Sequence, residues 1–403
     1  MTKLMIASAL PALAALAFSP PTAAQQESEP VAASASPSEI VNAAGQEDWK
    51  PIAPDALLVM TLAGSANGAG REVIIQLLPA PLSEGWTGNI RALAKAGWYD
   101  GTSINRVQDN YVVQWGDPNY DNPESSGKAK SLPDGLKAMT EGEYLTVQNG
   151  WEGIAELGDL MQRGAILNNK TSSDASADTT GFERPYDLYA EYAGFVDGWP
   201  VAFGSAFTAF PGDLVIPEDV AQRMIQGMRG DAAAPLFGAL SEDEGQEARR
   251  IASKSLTALW PVHCYGMVGV GRNLSPDTGT GAELYTVIGH APRHLDRNIA
   301  LVGRVISGMQ HLSSLPRGNG ALGFYTSEEA RKRTPIVSIR LASDLPEDDR
   351  PQFEYLSTAS GAFARYVHAR ANRSDPFFIA PANGADLCNV PVPVRPFEYN
   401  DDK

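Results

Sequence analysis

Cysteine is scarce: Cys264 and Cys388 are the only two in 403 residues. That excludes a disulfide-dense scaffold and zinc sites built from paired Cys-x-x-Cys motifs. Histidine is scarce too. Of the five present, three lie between His290 and His311, which leaves little for a histidine-based mechanism. Positive charge is short: 32 Lys and Arg against 48 Asp and Glu give a formal charge of −16. Phosphate attraction supplies most nucleic-acid affinity, so no nucleic-acid partner is expected. Beyond Phe18 no apolar run reaches the roughly 18 residues of a spanning helix, so no stable membrane insertion is expected. Phosphate-loop, His-Glu-x-x-His and Gly-x-Ser-x-Gly signatures are absent.

Other features are plentiful. Met1–Ala24 reads as an export signal: Lys3, a small and apolar run from Leu4 to Phe18, a Pro20-Pro21 break, then Thr22-Ala23-Ala24 before Gln25. This implies a periplasmic or secreted protein. In an oxidising compartment a Cys264–Cys388 bridge and two buried thiols are both open readings. Residues 25–48 are rich in Ala, Ser, Glu and Pro and read as a flexible tether, with order expected from Trp49.

From there the chain alternates short strands and turns. Leu57–Leu62, Glu72–Leu78, Asn105–Val107, Tyr111–Gln114, Tyr265–Val270, Leu284–Ile288, Ala300–Val305 and Ile336–Leu341 read as strands. Helical spacing marks Trp86–Ala96, Leu157–Leu167, Ile216–Gly227, Glu244–Leu259, Ile306–Leu315 and Phe353–Ala371. Strands on both sides of a polar middle segment predict a β-barrel split by an insertion, although periodicity alone equally fits a sandwich. His290 and His294 lie four apart, but Pro292 between them breaks a metal-binding helix, so a loop is expected.

Arg106 stands out within Ile104-Asn-Arg-Val107, led by Tyr99-Asp-Gly-Thr102 and followed by Val113-Gln-Trp-Gly-Asp-Pro118. At these residues the sequence resembles the cyclophilins, the peptidyl-prolyl isomerases. Asn89–Val107 resembles the family's helix, turn and catalytic-arginine strand, and Gln114-Trp-Gly-Asp-Pro118 its Gln-Gly-Gly-Asp-Pro. Downstream, Gly266-Met-Val-Gly, Gly281-Ala-Glu-Leu-Tyr-Thr, Leu295-Asp296 and Val302–Met309 resemble further family elements in the family's order. About half the chain is covered, in two pieces.

The resemblance implies a mainly β fold: a closed eight-stranded antiparallel barrel capped by two helices. A mixed insertion subdomain and a C-terminal helix are expected in addition. The boundaries are 49–118 and 260–345 for the two barrel parts, 119–259 for the insertion, and 346–403 for the C-terminal helix and extended tail. The resemblance also implies isomerisation of X-Pro bonds with no metal or cofactor. Arg106 falls on the catalytic arginine. Tyr111, Val112, Gln114 and Leu295 fall on substrate-binding positions. Glu283, Leu284, Tyr285 and His294 fall on four more, where they replace glutamine, two phenylalanines and tryptophan. Ile299 replaces a histidine and Val302 another phenylalanine. Glu283 is expected to pair with Arg106. The implied partners are proline-containing unfolded or exported polypeptides; a catalytically weak or inactive cyclophilin-like chaperone or peptide-binding module is the alternative. No oligomeric state is implied.

Overall fold

The computed structural model describes residues 35–64, 70–120, 122–125, 127–148, 187, 189–190, 192–205, 257–373, 375, 377–380 and 384–397. The export signal and the helices expected over 157–167 and 216–227 lie outside these residues.

In chain order the helices are α1 (Pro37–Asn42), α2 (Glu84–Lys95), α3 (Gln310–Ser313) and α4 (Gly361–Ala371). The first five strands are β1 (Trp49–Pro51), β2 (Leu57–Leu62), β3 (Arg71–Leu77), β4 (Ser103–Val107) and β5 (Val112–Gly116). The middle four are β6 (Thr146–Gln148), β7 (Tyr192–Val196), β8 (Trp199–Ser205) and β9 (Thr257–Pro261). The rest are β10 (Met267–Val270), β11 (Leu284–Val287), β12 (Leu301–Ser307), β13 (Ile336–Leu341), β14 (Phe353–Leu356) and β15 (Val394–Pro396).

Eight strands form one antiparallel sheet in the order β13-β2-β3-β12-β10-β11-β5-β4. Its two ends meet, because Gly101 and Ile104 donate to the carbonyls of Ile336 and Thr334, and Ile336 donates back to Thr102. The result is the expected nearly closed barrel. Side chains alternate across its wall. Leu58, Met60, Val73, Ile75, Val113, Trp115 and Leu284 fill the interior, which α2 caps with Trp86, Ile90 and Leu93. Leu57, Val59, Ile74 and Leu301 point outward into a second core. Strands buried on both faces explain why β2 and β3 read as continuous apolar runs.

That second core is closed by a separate four-stranded sheet, β6-β9-β8-β7, and by α4. Trp199, Phe195 and Phe363 are each at most 1% exposed there; burying such side chains stabilises by about 1.5–3 kcal/mol apiece. Arg304 on β12 reaches the β7–β8 turn, donating to the Gly198 carbonyl at 2.8 Å and to Gln76 Oε1 at 2.9 Å.

Four expectations are corrected. Residues 35–48 are not a tether: Ser36 caps α1 with a reciprocal Glu39 contact, and Ile40 and Val41 pack on the second core. The helix expected over Phe353–Ala371 begins only at Gly361. Before it, β14 pairs with β1 and β15, and Ser360 caps α4 through the Phe363 N–H. The stretch expected as a helix to Leu259 ends in strand β9, which pairs with β6 and β8. The helix expected over Ile306–Leu315 shrinks to α3, because β12 stays paired with β3 through Ser307. The two cysteines form a bridge, Cα to Cα 5.0 Å, which ties the β9–β10 connection to the C-terminal segment.

Candidate active site

Strands β4 and β5 set the site. Arg106 lies opposite Gln114, and a register shift between Ile104 and Arg106 turns the arginine out of the barrel. On β5, Val113 and Trp115 point inward while Val112 and Gln114 point out. On β11 the same alternation turns Tyr285 out and Leu284 in. Tyr285, Val112 and Val287 form a small outer cluster with Tyr111 and Ile299.

A cavity of about 300 Å³ opens between these strands. Arg106, Tyr111, Val112, Gln114, Glu283, Tyr285 and Leu295 all line it. Two expected residues do not. Leu284 lies one position from Tyr285, so strand pleating sends it into the barrel core. His294 sits in a tight turn, Arg293–Leu295, whose flanking residues turn inward while it faces solvent.

Three hydrogen bonds hold the Arg106 guanidinium. Nε donates to the Leu322 carbonyl at 2.6 Å, Nη1 donates to Gln114 Oε1 at 3.1 Å, and Nη2 donates to Gln108 Oε1. The expected partner Glu283 is not among these acceptors. It packs against Gly116, where a Cβ would stand 2.0 Å from its Oε1. The Arg106 Cζ lies 5.6 Å from the Tyr111 ring centre and 5.5 Å from that of Phe324, within cation–π range. Burial lowers the guanidinium's pKa, opposed by Tyr111 and Tyr285, yet an arginine so placed stays a cation. Burial raises the Tyr111 hydroxyl and pushes that of Tyr285 far up, with Tyr111 and Asp296 adding to the latter. Both therefore stay neutral phenols at ordinary pH.

A guanidinium carries five N–H groups. Among the described residues three are engaged, one each from Nε, Nη1 and Nη2, which leaves one on each terminal nitrogen. The arrangement presents a fixed cationic donor at the rim of a pocket sized for a small ring.

Sequence reasoning missed Gln108, Leu322 and Phe324, which surround Arg106. Phe324 bridges to Arg106 from a Gly-rich loop more than 200 residues downstream, where no periodicity marks it. Ile299, noted only as a departure from the family, also lines the cavity.

Residues 76–174 match the family model for cyclophilin type peptidyl-prolyl cis-trans isomerase/CLD. No curated protein matches the sequence. Among solved structures, the crystal structure of cyclophilin AquaCyp293 from Hirschia baltica is similar, with TM-score 0.50 and 20% identity. The alignment covers 88% of this chain and 95% of that one. A Cryptosporidium parvum cyclophilin type peptidyl-prolyl cis-trans isomerase, crystallised in the presence of the dipeptide Ala-Pro, aligns with TM-score 0.29 and 9% identity. That alignment covers 71% of this chain and 97% of that one. The family match over residues 76–174, which hold β4 and β5, together with the eight-stranded barrel, identifies this fold as that of the cyclophilin-type peptidyl-prolyl cis-trans isomerases.

Proposed function

We propose that this chain isomerises X-Pro peptide bonds in exported polypeptides. A prolyl amide rotates over a barrier of about 18–20 kcal/mol, and unaided rotation takes tens to hundreds of seconds. At the twisted state the prolyl nitrogen loses conjugation and accepts a hydrogen bond. Arg106 supplies that bond and a second one to the neighbouring carbonyl from its two remaining N–H groups. The apolar wall of Val112, Tyr285, Leu295 and Ile299 takes the proline ring and excludes water, which strengthens the contact. No group is transferred and no covalent bond breaks.

The observation that carries this reading is the arginine itself, held from three directions with two donors left over. The test is a protease-coupled isomerisation assay on a set of X-Pro peptides. Wild type accelerates isomerisation and Arg106→Ala does not; equal rates for the two would overturn the mechanism. The alternative, a peptide-binding module without turnover, predicts peptide binding by both proteins and acceleration by neither.

Export rests on the sequence of Met1–Ala24. N-terminal sequencing of the protein recovered from outside the cytoplasm should read from Gln25. Full-length protein confined to the cytoplasm would refute it.

A further inference from the structure

Beneath the pocket lies a buried polar chain that the isomerase reading leaves unused. The Tyr285 hydroxyl points out of the cavity and meets His263 Nε2 at 2.8 Å. His263 is fully buried, and its ring lies nearly parallel to that of Tyr285, at 9°. Asp296 Oδ1 faces both the backbone N–H of His263, at 2.9 Å, and its Nδ1, at 2.8 Å. A carboxylate opposite Nδ1 keeps the proton on that nitrogen and turns Nε2 toward the hydroxyl. Asp296 Oδ2 accepts from Arg293 Nε at 2.5 Å, and Arg293 reaches Asp187 with both terminal nitrogens, at 2.8 and 3.2 Å.

Two features tie this chain to the pocket. Arg293 and Asp296 bracket the tight turn that carries Leu295, so the network fixes one pocket wall through Leu295 and the other through Tyr285. Moreover, the Tyr285 ring lies over Gly269, its cross-strand partner, where any Cβ would stand 2.3 Å from the hydroxyl oxygen. Tyrosine, glycine and histidine are thus a matched set: the glycine leaves room for the hydroxyl and the histidine receives it.

We propose that His263 is a positioning residue for the proline site. Acting through the Tyr285 hydroxyl, and itself oriented by Asp296, it holds the aromatic wall against which the proline ring seats. It touches no substrate, so its loss weakens binding of the X-Pro segment and leaves the rotation step nearly unchanged. The proposal rests on the isomerase reading above.

A double-mutant cycle tests it on the full chain, with His263→Leu, Tyr285→Phe and the pair. Binding of an X-Pro peptide is followed by NMR titration and turnover by the coupled assay. His263→Leu should raise Kd and KM about tenfold, the scale of one lost buried hydrogen bond, with kcat changed less than about twofold. In the Tyr285→Phe background the same substitution should add nothing. Should His263→Leu fail to fold, His263→Phe, which keeps a ring in the buried site but has no nitrogen to meet the Tyr285 hydroxyl, should give the same KM effect and the same cancellation. Equal effects in both backgrounds would mean a general structural role and overturn the proposal, as would an unchanged Kd in the single variant. A wild type that neither binds nor turns over X-Pro peptides would overturn the isomerase reading and this proposal together. Normal wild-type binding with an additive cycle would sink this proposal alone.

Discussion

Arg106 and Gln114 face each other across the β4–β5 pair, and Arg106 Nη1 donates to Gln114 Oε1 at 3.1 Å. The bond matters because it fixes the guanidinium at the cavity that both residues line. With Leu322 and Gln108 it leaves the side chain little freedom to lose on meeting a substrate, and such preorganisation is where electrostatic catalysis draws its strength.

Arg106→Ala is therefore expected to lower kcat/KM by about two to three orders of magnitude in the protease-coupled assay. Arg106→Lys should not restore it. An ammonium on a flexible stem is a point charge and cannot span acceptors on three sides while still offering two planar donors. Restoration by lysine would show that charge alone suffices and that the fork geometry is immaterial.

The loop carrying Leu322 and Phe324 has its own clamp in Glu329. That carboxylate accepts from the Asn319 backbone N–H at 3.0 Å, from Asn319 Nδ2 at 2.8 Å, from the Thr326 N–H at 3.2 Å and from the Lys332 ammonium. The Lys332 bond first, and the Asn319 backbone bond next, bring its pKa from an ordinary 4.5 down to about 2. A carboxyl depressed on folding stabilises the fold in full above its unfolded value, and that contribution disappears as pH falls through its folded value. The stability difference between wild type and Glu329→Gln should thus be constant above about pH 5 and shrink toward pH 2. Urea denaturation at a series of pH values measures it. At neutral pH the variant should also raise KM several-fold, since its loop supplies the carbonyl that holds Arg106. A difference that does not change with pH would remove Glu329 from the clamp.

The Cys264–Cys388 bridge joins positions 124 residues apart, and closing so long a loop restricts the unfolded chain substantially. Replacing both cysteines with serine should lower stability by about 2–4 kcal/mol in chemical denaturation. The barrel itself, with its own core and closed hydrogen bonding, should remain folded. Hydrogen exchange should rise first in residues 384–397, which the bridge fastens beside His263. Uniform loss of protection through the barrel strands would contradict this division.

How far the sequence could be read depended on the range of the interactions involved. Strands Leu57–Leu62 and Ile336–Leu341 match their expected bounds, because alternation and flanking turn residues are local signals. Phe353–Ala371 misled because its apolar spacing fits a helix. The decisive partners of Glu354 are Gln46 and Arg395, far away along the chain. The motif around Arg106 placed the arginine, Tyr111, Val112 and Gln114 on one cavity, whereas the choice between Leu284 and Tyr285 hung on a single step of strand register. His263 and Asp296 are 33 residues apart, and no spacing rule joins such a pair.

Gly269 offers the sharpest check on the pocket's packing. In β10 it stands directly opposite Tyr285 of β11, and the missing side chain lets the ring fold flat across the strand. A methyl group there would stand 2.3 Å from both Cζ and the hydroxyl oxygen, so the ring must move. The expected cost of Gly269→Ala is about 1–3 kcal/mol, the range for overpacking a well-filled site. Shifting the ring also breaks its bond to His263, so peptide binding should weaken along with thermal stability, and the near-UV circular dichroism of the aromatic side chains should change. A variant as stable as wild type, with the same peptide affinity, would mean that the ring has another place to go and that the floor of the pocket is softer than the packing around Gly269 implies.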